Sequence, residues 1–251
     1  MVNNSLIIAH RGESFDAPEN TLASINLAWH RNADAVEIDI HLTGDNKVAV
    51  IHDSNTSRTA GIYKAVKSQP LDYLQKFDVG KFKGSQWANE KIPSLDEVLD
   101  TVPEGKSIFI ELKCGPEIIT ILSGYLGSCR LKPYQIKLIG FNFKTMSLVK
   151  KNIPLYEVYW LRSVERSKFR FWKLNHDEII SQTIQNRFDG LDLKSHKLID
   201  QQLVDKIKYA GLKLFVWTVN DPEEADRLIK LGVDGITTDR PYWLKEKLSA
   251  K

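Results

Sequence analysis

Residues 7–12 read IIAHRG. Small apolar residues lead without a break into a histidine, an arginine and a glycine. With Leu6 in front, Leu6–His10 reads as a strand. Cationic and titratable side chains at a strand end pack poorly, but they grip an anion well. The next segment, Thr21–Asn32, has apolar residues at Leu22, Ile25, Leu27, Ala28 and Trp29. That is helical spacing, with Asn20 placed as the N-cap. The chain therefore opens on one βα unit whose strand carries polar groups at its C-terminal end.

The unit recurs. Strands are expected at Val36–His41, Ser107–Lys113, Ile136–Phe141, Leu155–Leu161, Gly190–Leu193, Leu214–Thr218 and Gly235–Thr238. Helices are expected at Ser94–Thr101, Glu117–Cys129, Lys144–Lys151, His176–Arg187, Leu198–Ala210, Pro222–Leu231 and Tyr242–Leu248. With the first unit this makes eight strands, each followed by a helix, in 251 residues. The tally is that of a TIM (β/α)8 barrel, and an open doubly wound sheet is the competitor. The stretch HLTGDNKVAVIHD reads as a hairpin turning at Gly44-Asp45, with Gly44 suited to a type II′ turn. Residues from about 53 to 92 read as an insertion after the second strand. No linker composition divides residues 1–251, so a single domain is expected.

Barrel enzymes place their sites at strand C-termini. The polar and aromatic residues found there are His10, Arg11, Glu37, Asp39, His41, Glu111, Lys113, Phe141, Asn142, Asp192, Trp217, Asn220 and Asp239. Glu37 and Asp39 are two apart on a strand and share a face. Glu111 does the same from the next parallel strand. Three inward carboxylates need a cation or protons, and an oxygen-only set suits Mg²⁺ or Ca²⁺. The bland alternative is a salt-bridge network with Arg or Lys. A turn at Gly44-Asp45 sets position 52 opposite position 37, so His52 would face the carboxylates, with His10 arriving from the first strand. Two histidines there fit either metal ligation or an acid–base pair. Arg11 offers a two-point grip on phosphate and Lys113 a point charge. Together these groups describe phosphoryl transfer.

AHRGESFDAPENTLASINLA, DAVEIDIHLTGDNKVAVIHDSNTSRTAG, IELK, VWTVN and GVDGITTDRP follow one another across residues 7–241. In this order they resemble the glycerophosphodiester phosphodiesterase family. The resemblance implies a TIM barrel with an insertion after the second strand. It implies one divalent cation held by Glu37, Asp39 and Glu111, His10 and His52 as the acid–base pair, Arg11 and Lys113 as phosphate contacts, and Trp217 lining the site. The expected reaction is metal-dependent hydrolysis of a small-molecule glycerophosphodiester to glycerol 3-phosphate and an alcohol. A lysophospholipase D acting on single-chain lipids, or a catalytically silent phosphodiester-binding barrel, are the rivals. The sequence departs from the family pattern in IGFNF, where a serine is expected in place of Gly140.

Composition narrows the setting. Lys plus Arg number 35 against 32 Asp plus Glu, too balanced to point to nucleic acid. Cys114 and Cys129 make neither a disulfide framework nor a metal cluster, and Cys114 alternates away from the site. With no signal-like or membrane-spanning apolar run, a cytoplasmic protein is expected. Residues 162–173, RSVERSKFRFWK, read as a short amphipathic helix with a solvated basic side. The sharper alternative is a weak contact with an anionic membrane surface. Glu19 is a candidate brace for Arg11, and Asp239 is expected to cap the last helix.

Overall fold

The computed structural model describes residues 5–163 and 176–250. Its strands are β1 (Leu6–His10), β2 (Ala35–Leu42), β3 (Val48–Val50), β4 (Ser107–Leu112), β5 (Ile136–Gly140), β6 (Glu157–Arg162), β7 (Gly190–Lys194), β8 (Lys213–Trp217) and β9 (Gly235–Thr238). Eight of them pair in parallel in the order β1-β9-β8-β7-β6-β5-β4-β2, and β1 pairs with β2 to close the barrel. The open sheet is thereby excluded. The register sets Asp39 beside Glu111 and His10 beside Glu37, so the polar ends of three strands meet on one face.

The alternation within each strand divides two cores. Ile8, Ala35, Phe109, Ile139, Tyr159, Leu161 and Phe215 fill the barrel interior. Phe215 stands edge-on to Phe109 and Tyr159, with ring centroids 4.9 Å apart in each pair. Each such ring contributes about 1.5–3 kcal/mol on burial, and together they form a floor beneath the polar end. The other strand faces, with Val36, Ile38, Ile40, Ile108 and Ile110, pack outward against the helices.

Three local readings are corrected by the structure. The hairpin does not turn as a two-residue type II′ loop. Thr43 N donates to Lys47 O, and the loop spans Gly44-Asp45-Asn46, with Asn46 at φ +59°. A three-residue loop ending in a left-handed residue is the alternative solution for a hairpin. Gly44 instead stands at a close approach, where a Cβ would lie 3.1 Å from Gln69 N and the neighbouring backbone would have to give by a few tenths of an ångström. The first helix, Leu22–His30, is capped by Thr21 rather than Asn20. Asp239 does not cap the last helix, Pro241–Ser249, whose N-cap is Arg240.

The insertion after β3 contains two four-residue helices, Ser57–Ala60 and Leu71–Leu74, and short 3-10 turns. It has its own small core of Ala49, Ile51, Val66, Leu71, Leu74, Val79 and Ile92. At Gly140, Met146 Sδ lies 2.7 Å from where a Cβ would stand, so Met146 fills the space that a serine side chain would use.

Candidate active site

The IIAHRG turn works through its backbone. Arg11 has φ +58° and Gly12 φ +83°. A Cβ on Gly12 would meet the Ser24 backbone at 2.5 Å, so only glycine fits. The left-handed Arg11 costs about 1–2 kcal/mol. It turns the Arg11 N–H toward Glu37, donating to Oε2 at 3.1 Å, and brings the guanidinium over the strand ends. Arg11 Nε lies 3.0 Å from Asp39 Oδ2 and Nη1 lies 2.9 Å from Glu19 Oε1, so Glu19 does brace Arg11.

Glu37, Asp39 and Glu111 are all buried, and each offers an oxygen within 4.8 Å of the others. Asn20 holds Asp39 from two sides, donating through Nδ2 at 2.8 Å and accepting from the Asp39 N–H at 3.1 Å. Lys113 Nζ bridges Asp39 Oδ1 at 3.1 Å and Glu111 Oε1 at 2.7 Å. Burial raises Asp39, but Arg11 and Lys113 outweigh it and hold the carboxyl at about 2. Burial and repulsion from Asp39 push Glu111 up to about 7 and Glu37 well above the ordinary carboxylate range. Two fixed cations thus face three carboxylates. The all-oxygen donor set is one that fits a hard divalent cation.

Each histidine has a carboxylate behind it. His10 Nδ1–H donates to Asp239 Oδ1 at 2.6 Å, leaving Nε2 3.9 Å from Glu37 Oε2. His52 Nδ1–H donates to Asp53 Oδ1 at 2.7 Å. The β2–β3 register is one residue off the expected one: Ile51 N donates to Asp39 O. His52 therefore reaches the site because the chain leaves the sheet after Val50, not because it faces residue 37. His41 stays out of the cavity and donates from Nε2 to His52 O at 3.0 Å. Arg58, from the insertion, ties the two sides. It bonds Asp53 Oδ2 through Nε at 2.7 Å and Glu19 through both Nη atoms at 2.6 and 2.8 Å.

These groups border a cavity of about 320 Å³, lined also by Ile139, Phe141, Leu161, Asp192 and Trp217. Trp217 Nε1 donates to Asp192 O at 3.3 Å, and its ring meets Phe141 edge-on at 5.5 Å. The lining thus combines charged groups with the apolar side chains of Ile139, Phe141, Leu161 and Trp217, and Thr218 and Thr237 complete it.

Comparison with known proteins accords with this arrangement. Residues 10–242 match the glycerophosphoryl diester phosphodiesterase family. A glycerophosphodiester phosphodiesterase of Caldanaerobacter subterraneus subsp. tengcongensis is 33% identical over 254 residues, covering 96% of either chain. The chain belongs to the glycerophosphoryl diester phosphodiesterase family. Its members are phosphoric diester hydrolases. The structure of an Oleispira antarctica phosphodiesterase in complex with the product sn-glycerol-3-phosphate is 29% identical, with TM-score 0.86, covering 97% of this chain and 96% of that one. A lysophospholipase D of Rattus norvegicus is 25% identical over 277 residues, covering 96% of this chain and 85% of its own.

All eight residues singled out in the sequence, His10, Arg11, Glu37, Asp39, His52, Glu111, Lys113 and Trp217, meet at this one face of the barrel. Asp239 was placed at this face by the sequence, but its role behind His10 was not foreseen; nor were those of Asp53 behind His52 and of Arg58. Asp53 directly follows a site histidine, a usable signal, whereas Arg58 gives none without the fold. The basic segment 162–173 lies, apart from Arg162 and Ser163, outside the described residues. Among the described residues, no helix is long and apolar enough to cross a membrane.

Proposed function

We propose that the chain acts as a single barrel domain that hydrolyses glycerophosphodiesters to glycerol 3-phosphate and an alcohol. The observation that carries this is the joining of a three-carboxylate cluster to Arg11, Lys113 and two carboxylate-backed histidines around one cavity. Glu37, Asp39 and Glu111 would hold one Mg²⁺ or Ca²⁺, since both accept oxygen-only donor sets. Held there, the cation would offset charge on the phosphate oxygens. Arg11 and Lys113 bind and orient the phosphate. One of His10 and His52 takes a proton from the nucleophile and the other gives one to the leaving alcohol oxygen. Asp239 and Asp53 keep the Nδ1 protons in place, so each ring works through Nε2. Trp217 and its apolar neighbours face the organic part of the substrate. The two cysteines are free, which suits the reduced cytoplasm, where we place the enzyme.

Release of glycerol 3-phosphate from glycerophosphocholine, with added Mg²⁺ or Ca²⁺ and a chelator control, tests the reading. Metal-dependent release is expected. A second substrate, a lysophospholipid, is favoured by the relative named as a lysophospholipase D. Relative rates on lysophosphatidylcholine and glycerophosphocholine decide between the two.

A further inference from the structure

Asp192 takes no part in the chemistry above, yet it stands inside the cavity. On β7 it is in register with Leu161 of β6 and Phe215 of β8, so its strand neighbours are apolar. It is 2% exposed and shares the cavity wall with Ile139, Phe141, Leu161 and Trp217. Among the described residues its Oδ1 has no hydrogen-bond partner, and no cation pairs with it. A buried, unpartnered carboxyl destabilises a fold, and an apolar side chain of similar size would not. Phe215, one strand away, shows that this layer accepts apolar side chains. A polar group held at such a cost in a ligand cavity is matched by something that enters the cavity.

The surroundings say what that is. Arg11 and Lys113, the cations that suit a phosphate, pair with Asp39 and Glu111 on the carboxylate side. Beside Asp192 there are carbon-rich walls. Burial, and after it the negative charge of Glu111, push its carboxyl well above the ordinary range, which favours the form that both donates and accepts. The matching ligand is a carbon chain bearing a hydroxyl, which also donates and accepts. We propose that Asp192 is a specificity-determining residue that recognises a free hydroxyl on the substrate's glycerol group. This rests on the phosphodiesterase reading, and it adds a reason for choosing glycerol over a plain alkyl chain.

Calorimetric titration of the metal-loaded protein with sn-glycerol 3-phosphate and with propyl phosphate, which lacks the hydroxyls, tests it. The wild type is expected to bind the glycerol compound roughly 10-fold tighter or more, from the hydrogen bonds alone. Asp192→Leu should bring the two affinities to within about threefold, with thermal melting no lower than wild type. Asp192→Asn, which keeps shape and polarity, should fall between. A wild type that does not discriminate, or a gap that survives in both variants, overturns the proposal. Should neither phosphate bind the wild type in Mg²⁺ or Ca²⁺, the phosphodiesterase reading falls first and this assignment with it.

Discussion

A carboxylate behind a histidine decides which ring nitrogen is free to work. Asp239 is itself held by Asn220, whose Nδ2 donates to Oδ2 at 2.6 Å, so the His10 ring is fixed at two removes. Asp239→Asn leaves the shape and removes the charge that favours the Nδ1–H form. It should lower kcat roughly 10- to 100-fold, with KM changed little. An unchanged kcat would remove Asp239 from the proton-transfer apparatus. Glu13 illustrates a residue whose titration affects stability rather than chemistry. It is buried, Oε2 has no hydrogen-bond partner among the described residues, and Arg31 lies 3.5 Å from Oε1. Burial outweighs Arg31 and raises its carboxyl from 4.5 to about 7. The folded chain therefore keeps a proton that the unfolded chain releases near 4.5. The contribution of Glu13 to stability is greatest below that value and falls as pH rises toward 7, by up to about 3 kcal/mol. Glu13→Gln should raise the melting temperature at pH 8 and leave it nearly unchanged at pH 4; an equal gain at both would refute this account. At the residue scale the sequence disclosed the groups that meet substrate or metal, because strand ends and spacing of two expose them. It hid the role of Asp239, since a lone acid after a strand looks the same whether it caps a helix or aligns a histidine 229 positions earlier.

The insertion matters as an element because it closes a circuit between two others. Arg58 joins Glu19, which steadies Arg11 after β1, to Asp53, which steadies His52 after β3. Arg58 is itself partly exposed, so its ion pairs add little to global stability. Their effect lies in orientation, where a small misplacement of a reacting group costs heavily. Arg58→Gln should lower kcat on the order of 10-fold while the melting curve stays close to wild type, and Arg58→Lys should restore only part of the rate, because one ammonium cannot replace the fork. A large loss of melting temperature with a proportional loss of activity would make Arg58 a fold residue instead. The insertion was legible as an interruption but not as a structure. Its helices are four residues long, too short to show a period. The hairpin register was misread for a related reason. GDN admits turns at either pair, and the choice was settled by Gln69 O accepting from the Gly44 N–H, a contact no local pattern reveals.

At the scale of the whole molecule, closure concentrates charge. The alternation of strands and helices was enough to count the barrel, because each buried parallel strand is a compact apolar run and each helix shows its own period. Closure follows from pairing β1 with both β9 and β2, and it makes the interior a narrow tube with an apolar floor. Of the carboxylates of β2 and β4, Glu37 and Glu111 border the cavity, and all three are buried. Glu37 is 3% exposed, Asp39 0% and Glu111 8%. Burial and mutual repulsion raise Glu37 and Glu111 above the ordinary carboxylate range, a cost of ionisation that the folded barrel bears and the unfolded chain does not. A cation bound only by the folded state stabilises it by mass action, about 2.7 kcal/mol at 100 times its dissociation constant. For a chain of this length that corresponds to roughly 5–10 °C in melting temperature. Addition of Mg²⁺ or Ca²⁺ to chelator-treated protein should therefore raise the melting temperature, and Glu37→Gln should reduce the shift by removing a ligand. A metal-induced shift of equal size in Glu37→Gln would place the cation elsewhere, and no shift at millimolar metal would mean that Arg11, Lys113 and bound protons balance the cluster on their own.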